Sequence, residues 1–368
     1  MPETAPALAP VDPKDKRDRG GDAQPMLIAK DLKKHFPVLG GILNRPVGQV
    51  RAVDGVNFTV MKGETLGVVG ESGCGKSTLA RVLMHLIEPD AGELIFDGEA
   101  VGAGDGIEVR TMRRQMQMVF QDSYSSLNPR LPVEDSIAYG QRVHGASVSE
   151  AKEAARQMLT KVGLDPEVFG PRYPHELSGG QKQRVNIARA LVLEPRVVIL
   201  DEAVSALDKS VEAQVLNLLR HLKRHLNLTY VFISHDLNVV QYVSDRMLVM
   251  YLGEVVEIGP VDDIYNRAKH PYTRALLASR LSMDPDLRVE EPPIVGDPPN
   301  PINPPSGCRF RTRCAYAEEV CAKISPKLPK LEDPNMHATA CHMYQDGSGH
   351  SLEGRAPEDP SHLEILAS

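Results

Sequence analysis

The stretch Gly70-Glu71-Ser72-Gly73-Cys74-Gly75-Lys76-Ser77-Thr78 limits what this chain can fold into more than any other. It follows the apolar run Thr65–Val69 without a break and leads into Leu79, Val82, Leu83 and Leu86, a stripe at helical spacing. Glycines at a strand-to-helix corner let successive backbone N–H groups converge on an anion at the positive end of the helix dipole. Lys76 adds a point charge for the β- and γ-phosphates, and Ser77 an oxygen for Mg²⁺. Cys74 reads as a small filler inside the loop. Strand, glycine loop and helix in that order point to an α/β fold that binds its ligand at the C-terminal ends of its strands.

A second stretch, Leu177 to Asp208, repeats the logic with different parts. Ser178 is a good helix N-cap, and Gly179 and Gly180 leave bare N–H groups beside it, with Gln181 next. Val185, Ala188, Leu191 and Val192 recur at helical spacing until Pro195 stops the helix. The apolar run from Val197 to Leu200 does not alternate, as expected of a buried parallel strand, and it delivers Asp201 and Glu202 at its end. Ser205-Ala206-Leu207-Asp208 follows. A phosphate reader is thus joined to a pair of carboxylates suited to metal and base chemistry.

Further marks fall in a fixed order around these two. Gln121 ends the strand Gln117–Phe120, and Ser234-His235-Asp236 ends the β-branched strand Thr229–Ile233. Taken alone, Gln121 is a loop amide, and His235 is a structural histidine. The ordered set resembles the phosphate loop, Q-loop, signature, Walker B, D-loop and switch histidine of ABC-transporter ATPases. The resemblance implies a P-loop NTPase (RecA-like) core, an antiparallel β edge and an inserted helical subdomain at about 128–178. It implies ATP and Mg²⁺ as cofactors, with the residues from Gly70 to Thr78 around the phosphates and Ser77, Asp201 and Gln121 on the metal. Glu202 would polarise the attacking water, Gln121 would reach the same water, and His235 would contact the γ-phosphate. Phe36 aligns with the aromatic residue that stacks on adenine, its alternative being a core phenylalanine at a strand end. Two cassettes would pack head to tail, so that Ser178, Gly179, Gly180, Gln181 and Asp208 of one close over the nucleotide of the other.

Composition restricts partners and setting. Forty-two basic against 49 acidic residues leave a net charge of −7, which argues against a sequence-independent nucleic-acid binder. No apolar run reaches the eighteen or so residues needed to cross a bilayer, and the first residues lack a signal-peptide core. The expectation is a cytoplasmic chain whose membrane part, if it serves a transporter, is another polypeptide.

Along the chain, residues 1–25 read as a disordered tail and 26–260 as the ATPase domain. Within the latter, Met26–Ile28 and Val50–Val60 are expected strands, with Pro37–Gln49 a loop between them. Leu94–Phe96 is another short strand, and Arg246–Gly259 a hairpin turning at Leu252-Gly253. From about Asn128 to Leu177 the pattern is helical, with a capping box at Ser147 and Glu150, a stripe at Ala151, Ala155, Met158 and Val162, and a stop at Gly163. Val211, Val215, Leu218, Leu222 and Leu226 mark one face of a later helix. Residues 261–345 read as a C-terminal domain and 346–368 as a polar tail.

That domain narrows the resemblance. His270-Pro271-Tyr272-Thr273-Arg274-Ala275-Leu276-Leu277 is similar to the segment that follows the cassette in oligopeptide and dipeptide importers. A proline-rich arm comes next, with eight prolines from Pro285 to Pro305, and then Cys308, Cys314, Cys321 and Cys341. Their spacing is unlike the paired C-x2-C of most structural zinc sites. Four thiolates suit a [4Fe–4S] cluster, which similar segments of peptide-importer ATPases carry, while zinc and free structural thiols stay open. Ala203 in Asp201-Glu202-Ala203-Val204-Ser205 and the Pro37–Gln49 loop resemble the second ATPase of such permeases. The implied partners are a paralogous ATPase in a heterodimer, two membrane permease subunits and an external peptide-binding protein, at the cytoplasmic face of the inner membrane. Nickel or sugar would be other cargoes for the same motor. A soluble ABC ATPase acting on ribosomes or DNA would be expected to carry tandem cassettes or long coiled coils, and neither is present.

Overall fold

The computed structural model describes residues 18–355, apart from 19, 22, 41–44, 123–125, 280–295, 297–298 and 331–332. Eleven strands run through these residues: β1 Pro25–Gly40, β2 Arg45–Met61, β3 Thr65–Val69, β4 Ala91–Phe96, β5 Glu99–Ala100, β6 Met116–Val119, β7 Val197–Asp201, β8 Thr229–Ile233, β9 Arg246–Tyr251, β10 Glu254–Pro260 and β11 Ala338–Thr339. The helices are α1 Lys76–Leu83, α2 Val109–Gln115, α3 Val133–Val143, α4 Val148–Lys161, α5 Pro166–Phe169, α6 Gly179–Leu191, α7 Lys209–Leu226, α8 Leu237–Val243, α9 Val261–Arg267, α10 Pro271–Ala278 and α11 Glu319–Lys323.

The central sheet has the order β11-β10-β9-β3-β8-β7-β6. Its five strands from β9 to β6 are parallel, and β10 and β11 add antiparallel to the edge. Strands β3, β7, β8 and β9 are buried at every position, which is why they read as unbroken apolar runs. Because successive side chains face opposite ways, one strand serves two cores. Val198 and Leu200 join the core shared with α3, α4, α6 and α7, whereas Val197 and Ile199 join the core beneath the antiparallel sheet β2-β1-β4-β5.

Several expectations are corrected. Pro37–Gln49 is not an open loop: Pro37 pairs with Gln49 and Val38 with Gly48, so β1 and β2 extend as a hairpin whose tip, 41–44, lies outside the described residues. Leu86, assigned to the buried stripe after the phosphate loop, is 47% exposed, because α1 ends at Leu83 and Met84 caps it. Phe120 is also exposed, one residue past the end of β6. Most of the expected tail 1–25 lies outside the described residues, but Asp18 is tied down by Lys62, and β1 opens at Pro25. The polar tail starts later than 346, since His350 is buried with its Nε2 2.9 Å from the Tyr316 carbonyl, and the Gly354 N–H donates to the Met343 carbonyl. Residues 356–368 and most of the proline-rich arm lie outside the described residues.

The helical insertion consists of α3, α4, α5 and a 3₁₀ turn at Pro174–Glu176. Both halves of the Ser147–Glu150 capping box are present. On α7 the buried face is centred on Val215, Leu219 and Leu222, with Leu218 and Leu226 only partly covered. The hairpin of β9 and β10 turns at Leu252 and Gly253, both with positive φ, as a tight two-residue connection requires. The C-terminal region is stitched to the cassette, not hung from it, because β11 pairs with β10 through Glu257↔Thr339 and Ile258↔Ala338.

Candidate active site

The phosphate loop sits where β3 hands the chain to α1, and its shape is enforced from outside. Gly70 has φ of 149°, and a Cβ there would lie 2.2 Å from the Met250 carbonyl oxygen. Gly75 has φ of 113°, and a Cβ there would lie 2.0 Å from the Ala52 carbonyl oxygen. No side chain fits either place, so the backbone of β2 and β9 grips the loop directly. The Gly253 N–H adds a hydrogen bond to the Cys74 carbonyl at 2.8 Å. Cys74 itself is buried, which pushes its thiol pKa up and suits a filler.

A cleft of about 560 Å³ opens over the loop. Phe36, Ser72, Gly73, Gly75, Lys76, Ser77, Thr78, Gln121, Glu202 and His235 all line it, together with Val50 and Ala52, which sequence reasoning did not single out. Lys76 Nζ donates to the Gly70 and Glu71 carbonyls at 2.7 and 3.0 Å, so its charge is held over the loop. Ser77 Oγ donates to Asp201 Oδ1 at 3.1 Å, which joins two of the proposed Mg²⁺ ligands between the start of α1 and the end of β7. Burial raises the Asp201 pKa, the Ser77 hydroxyl works against that, and the neighbouring Glu202 charge adds to the rise.

Gln121, Glu202 and His235 form one connected group. Gln121 Nε2 donates to Glu202 Oε2 at 2.8 Å, and His235 Nδ1 lies 3.4 Å from Glu202 Oε1. The main chain explains where Glu202 points. It has φ of 48°, and its N–H donates to the Ile233 carbonyl at 2.9 Å, so the end of β8 turns the carboxylate into the cleft. Phe36 pairs with Val50 on the β1–β2 hairpin and faces the same cleft, where Lys34 Nζ lies 5.7 Å from its ring.

The signature residues lie elsewhere. Ser178 caps α6, accepting from the Gln181 N–H while Gln181 Oε1 accepts from the Ser178 N–H at 2.9 Å. Asp208 caps α7 through the Val211 N–H at 2.9 Å. None of Ser178, Gly179, Gly180, Gln181 and Asp208 lines the cleft that holds Lys76.

Cys308, Cys314, Cys321 and Cys341 share one small cavity, and all four are free thiols. Burial pushes Cys308 up to about 11, and Cys314 and Cys341 up to about 12, with the other cysteines adding to each rise. Among the described residues, no three His, Cys, Asp or Glu side chains stand together as a formed metal site.

Fold and cleft together define an ATP-hydrolysing cassette of the ABC type. A family model described as ABC transporter matches residues 53–205, and one described as Oligopeptide/dipeptide transporter, C-terminal region, matches 256–321. The oligopeptide transport ATP-binding protein AppF of Bacillus subtilis is 46% identical over 87% of this chain and 97% of its own length. OppF of Escherichia coli, an oligopeptide transport ATP-binding protein, is 47% identical over 86% of this chain and 95% of its own. Among solved structures, cbiO1 of Clostridium perfringens, part of an ABC transporter complex, has a TM-score of 0.57 at 26% identity, covering 66% of this chain and 92% of that one. A dimeric ATP-binding cassette in a post-hydrolysis state, bound to ADP and Pi, has a TM-score of 0.55 at 28% identity, covering 64% of this chain and 99% of that one. This chain belongs to the ATP-binding proteins of ABC transporters, in the branch with the oligopeptide/dipeptide transporter C-terminal region. No helix among the described residues is long and apolar enough to cross a membrane.

Proposed function

We propose that this chain hydrolyses ATP to drive import of dipeptides or oligopeptides, at the cytoplasmic face of the inner membrane and docked on two permease subunits. The observation that carries the reading is the split between its two phosphate-binding elements. Lys76, Ser77, Gln121, Glu202 and His235 share a cleft, while Ser178 and its glycines cap a separate helix. A site divided in this way is completed by a second cassette, and the dimeric ADP-bound relative supports that arrangement. The second cassette is a paralogous ATPase, as the resemblance of the segment from Asp201 to Ser205 to the second ATPase of peptide permeases implies. An external binding protein delivers the peptide to the permease.

In this reading the loop from Gly70 to Thr78 surrounds the phosphates, with Lys76 turning its ammonium from the loop carbonyls to phosphate oxygens. Ser77, Asp201 and Gln121 would hold Mg²⁺, which would supply positive charge to offset that of the triphosphate. Phe36 stacks on the adenine. Glu202 accepts the proton of the attacking water, Gln121 orients that carboxylate, and His235 contacts the γ-phosphate. Ser178, Gly179, Gly180, Gln181 and Asp208 close over the nucleotide of the paired cassette. The domains follow: the ATPase from 26 to about 260 with its helical insertion at about 128–178, then the extension that carries the cysteines.

For those cysteines we propose a [4Fe–4S] cluster, which would fix the extension by four thiolate bonds. The donor chemistry fits, because four thiols line one cavity, where burial first and neighbouring cysteines second raise the pKa of Cys308, Cys314 and Cys341, a cost that iron ligation would remove. Protein purified without oxygen should contain about four iron and four acid-labile sulfide per chain. Stoichiometric zinc without iron, or neither, rules out the cluster. For transport, the complex with its permease in vesicles should hydrolyse ATP faster when loaded binding protein and peptide are supplied. Stimulation by nickel or a sugar instead would change the cargo.

A further inference from the structure

The C-terminal extension reaches back 242 positions to grip the phosphate loop at Glu71. Arg313 places Nη1 2.8 Å from Glu71 Oε2 and Nη2 3.0 Å from Glu71 Oε1, a two-pronged ion pair. The same residue is held a second time through its main chain, where the Glu71 N–H donates to Tyr272 Oη at 2.8 Å. Neither grip is a loose surface contact. The Arg313 side chain is 6% exposed and Tyr272 is fully buried. The Tyr272 ring packs against Tyr251 at 4.6 Å and Phe310 at 5.4 Å between centroids, and Arg313 also reaches Tyr251 Oη at 3.4 Å. Phe310 and Arg313 lie in the short segment between Cys308 and Cys314, so the aromatic cluster connects the cysteine cavity to the loop.

Glu71 needs such a partner. A carboxylate in a loop that receives a triphosphate opposes binding by charge repulsion, and a freed carboxylate could also turn and take the donors meant for phosphate. The Glu71 side chain does not line the nucleotide cleft; it faces the neighbouring hollow beside Tyr251 and Asn300. A guanidinium fork is the group that holds a carboxylate in one fixed direction.

We propose that Arg313 and Tyr272 are positioning residues for the nucleotide site: acting through Glu71, they turn its carboxylate away from the triphosphate and neutralise it. The extension is then part of the ATP site, although none of its described residues lines the cleft over the loop. This inference rests on the reading of the phosphate loop as that site.

The test is equilibrium binding of a fluorescent ATP analogue to the full chain without Mg²⁺, together with steady-state hydrolysis. Arg313→Gln should weaken binding roughly tenfold, the scale of a hydrogen-bonded charge left unpaired. It should raise KM for ATP by a similar factor while kcat changes less than about twofold. Adding Glu71→Gln to Arg313→Gln should restore affinity to within about threefold of the parent, since no stray carboxylate remains. Unchanged affinity in Arg313→Gln overturns the proposal, and so does a loss that Glu71→Gln does not repair. Should Arg313→Gln fail to fold, Tyr272→Phe decides: it removes one hydroxyl and keeps the ring, and should weaken binding roughly threefold or more. Wild-type affinity in Tyr272→Phe overturns the proposal too. Lys76→Ala separates the premises, because retained binding there would break the nucleotide-site reading itself.

Discussion

Replacing Glu202 by Gln tests the chemistry of the cleft with little structural disturbance. The contacts that orient residue 202 come largely from the main chain, through its N–H to the Ile233 carbonyl and its carbonyl to Ser205 Oγ. These survive the change. The 2.8 Å hydrogen bond from Gln121 Nε2 also survives, since a glutamine oxygen still accepts it. Folding stability should therefore shift by no more than about 1 kcal/mol. The charge is lost, and with it one influence that holds the Asp201 pKa up. Only the ability to take a proton from water disappears, an effect of about 10²–10⁴-fold in kcat, equal to roughly 3–5.5 kcal/mol of barrier. The assay is phosphate release by the assembled transporter, with ATP binding measured in parallel. Unimpaired turnover in Glu202→Gln would remove this residue from the role of base, and lost ATP binding would assign it to nucleotide affinity instead.

Two further outcomes are expected. Phe36→Ala should raise KM for ATP by about 5- to 150-fold, corresponding to roughly 1–3 kcal/mol of base stacking, with kcat retained; an unchanged KM would return Phe36 to the hairpin as a packing residue. Asp97, 4% exposed, lies 2.6 Å from Arg196 Nη1 and 2.9 Å from Lys62 Nζ, and Asp97→Asn should cost about 1–3 kcal/mol by removing the buried carboxylate charge that both cations share, with Asp18 still beside them, as read by denaturant unfolding. Burial alone would raise the Asp97 pKa, but hydrogen bonds from Arg196 and Lys62 outweigh it and hold the value below the usual 3.8. The contribution of Asp97 is therefore present above pH 3.8 and lost as the pH falls towards and through the folded-state value, so Asp97→Asn should flatten the acid limb of the stability profile.

How far this protein could be read from residues alone depended on whether the relevant physics was local. The phosphate loop, the capping box at Ser147, the N-cap at Ser178, the apolar runs of β3, β7 and β8, and the Leu252-Gly253 turn are each set by neighbours within a few positions, and all are found where the pattern put them. Gln121, His235 and Phe36 carry no such local signal; the family resemblance named them, and they line one cleft with Lys76 and Glu202. Where local signals misled, a partner distant in the chain had decided the matter. Pro37–Gln49 contains glycine and proline and looked like a loop, yet ladder pairing between β1 and β2 makes it a hairpin. His350 looked like part of a polar tail until the Tyr316 carbonyl gave its ring a buried partner.

Sequence alone determined that this chain carries a glycine-rich strand–loop–helix corner and, at the end of a second buried strand, the adjacent carboxylates Asp201 and Glu202, because these patterns are set by neighbouring residues. It also identified four cysteines as a set. Only the tertiary structure decided that the extension bearing them adds a strand to the core sheet and holds Glu71 of the phosphate loop by Arg313 and Tyr272. The reason is physical: an ion pair across 242 positions leaves no periodicity, turn or cap in the chain that encodes it, and exists only once the sheet has brought its two ends together.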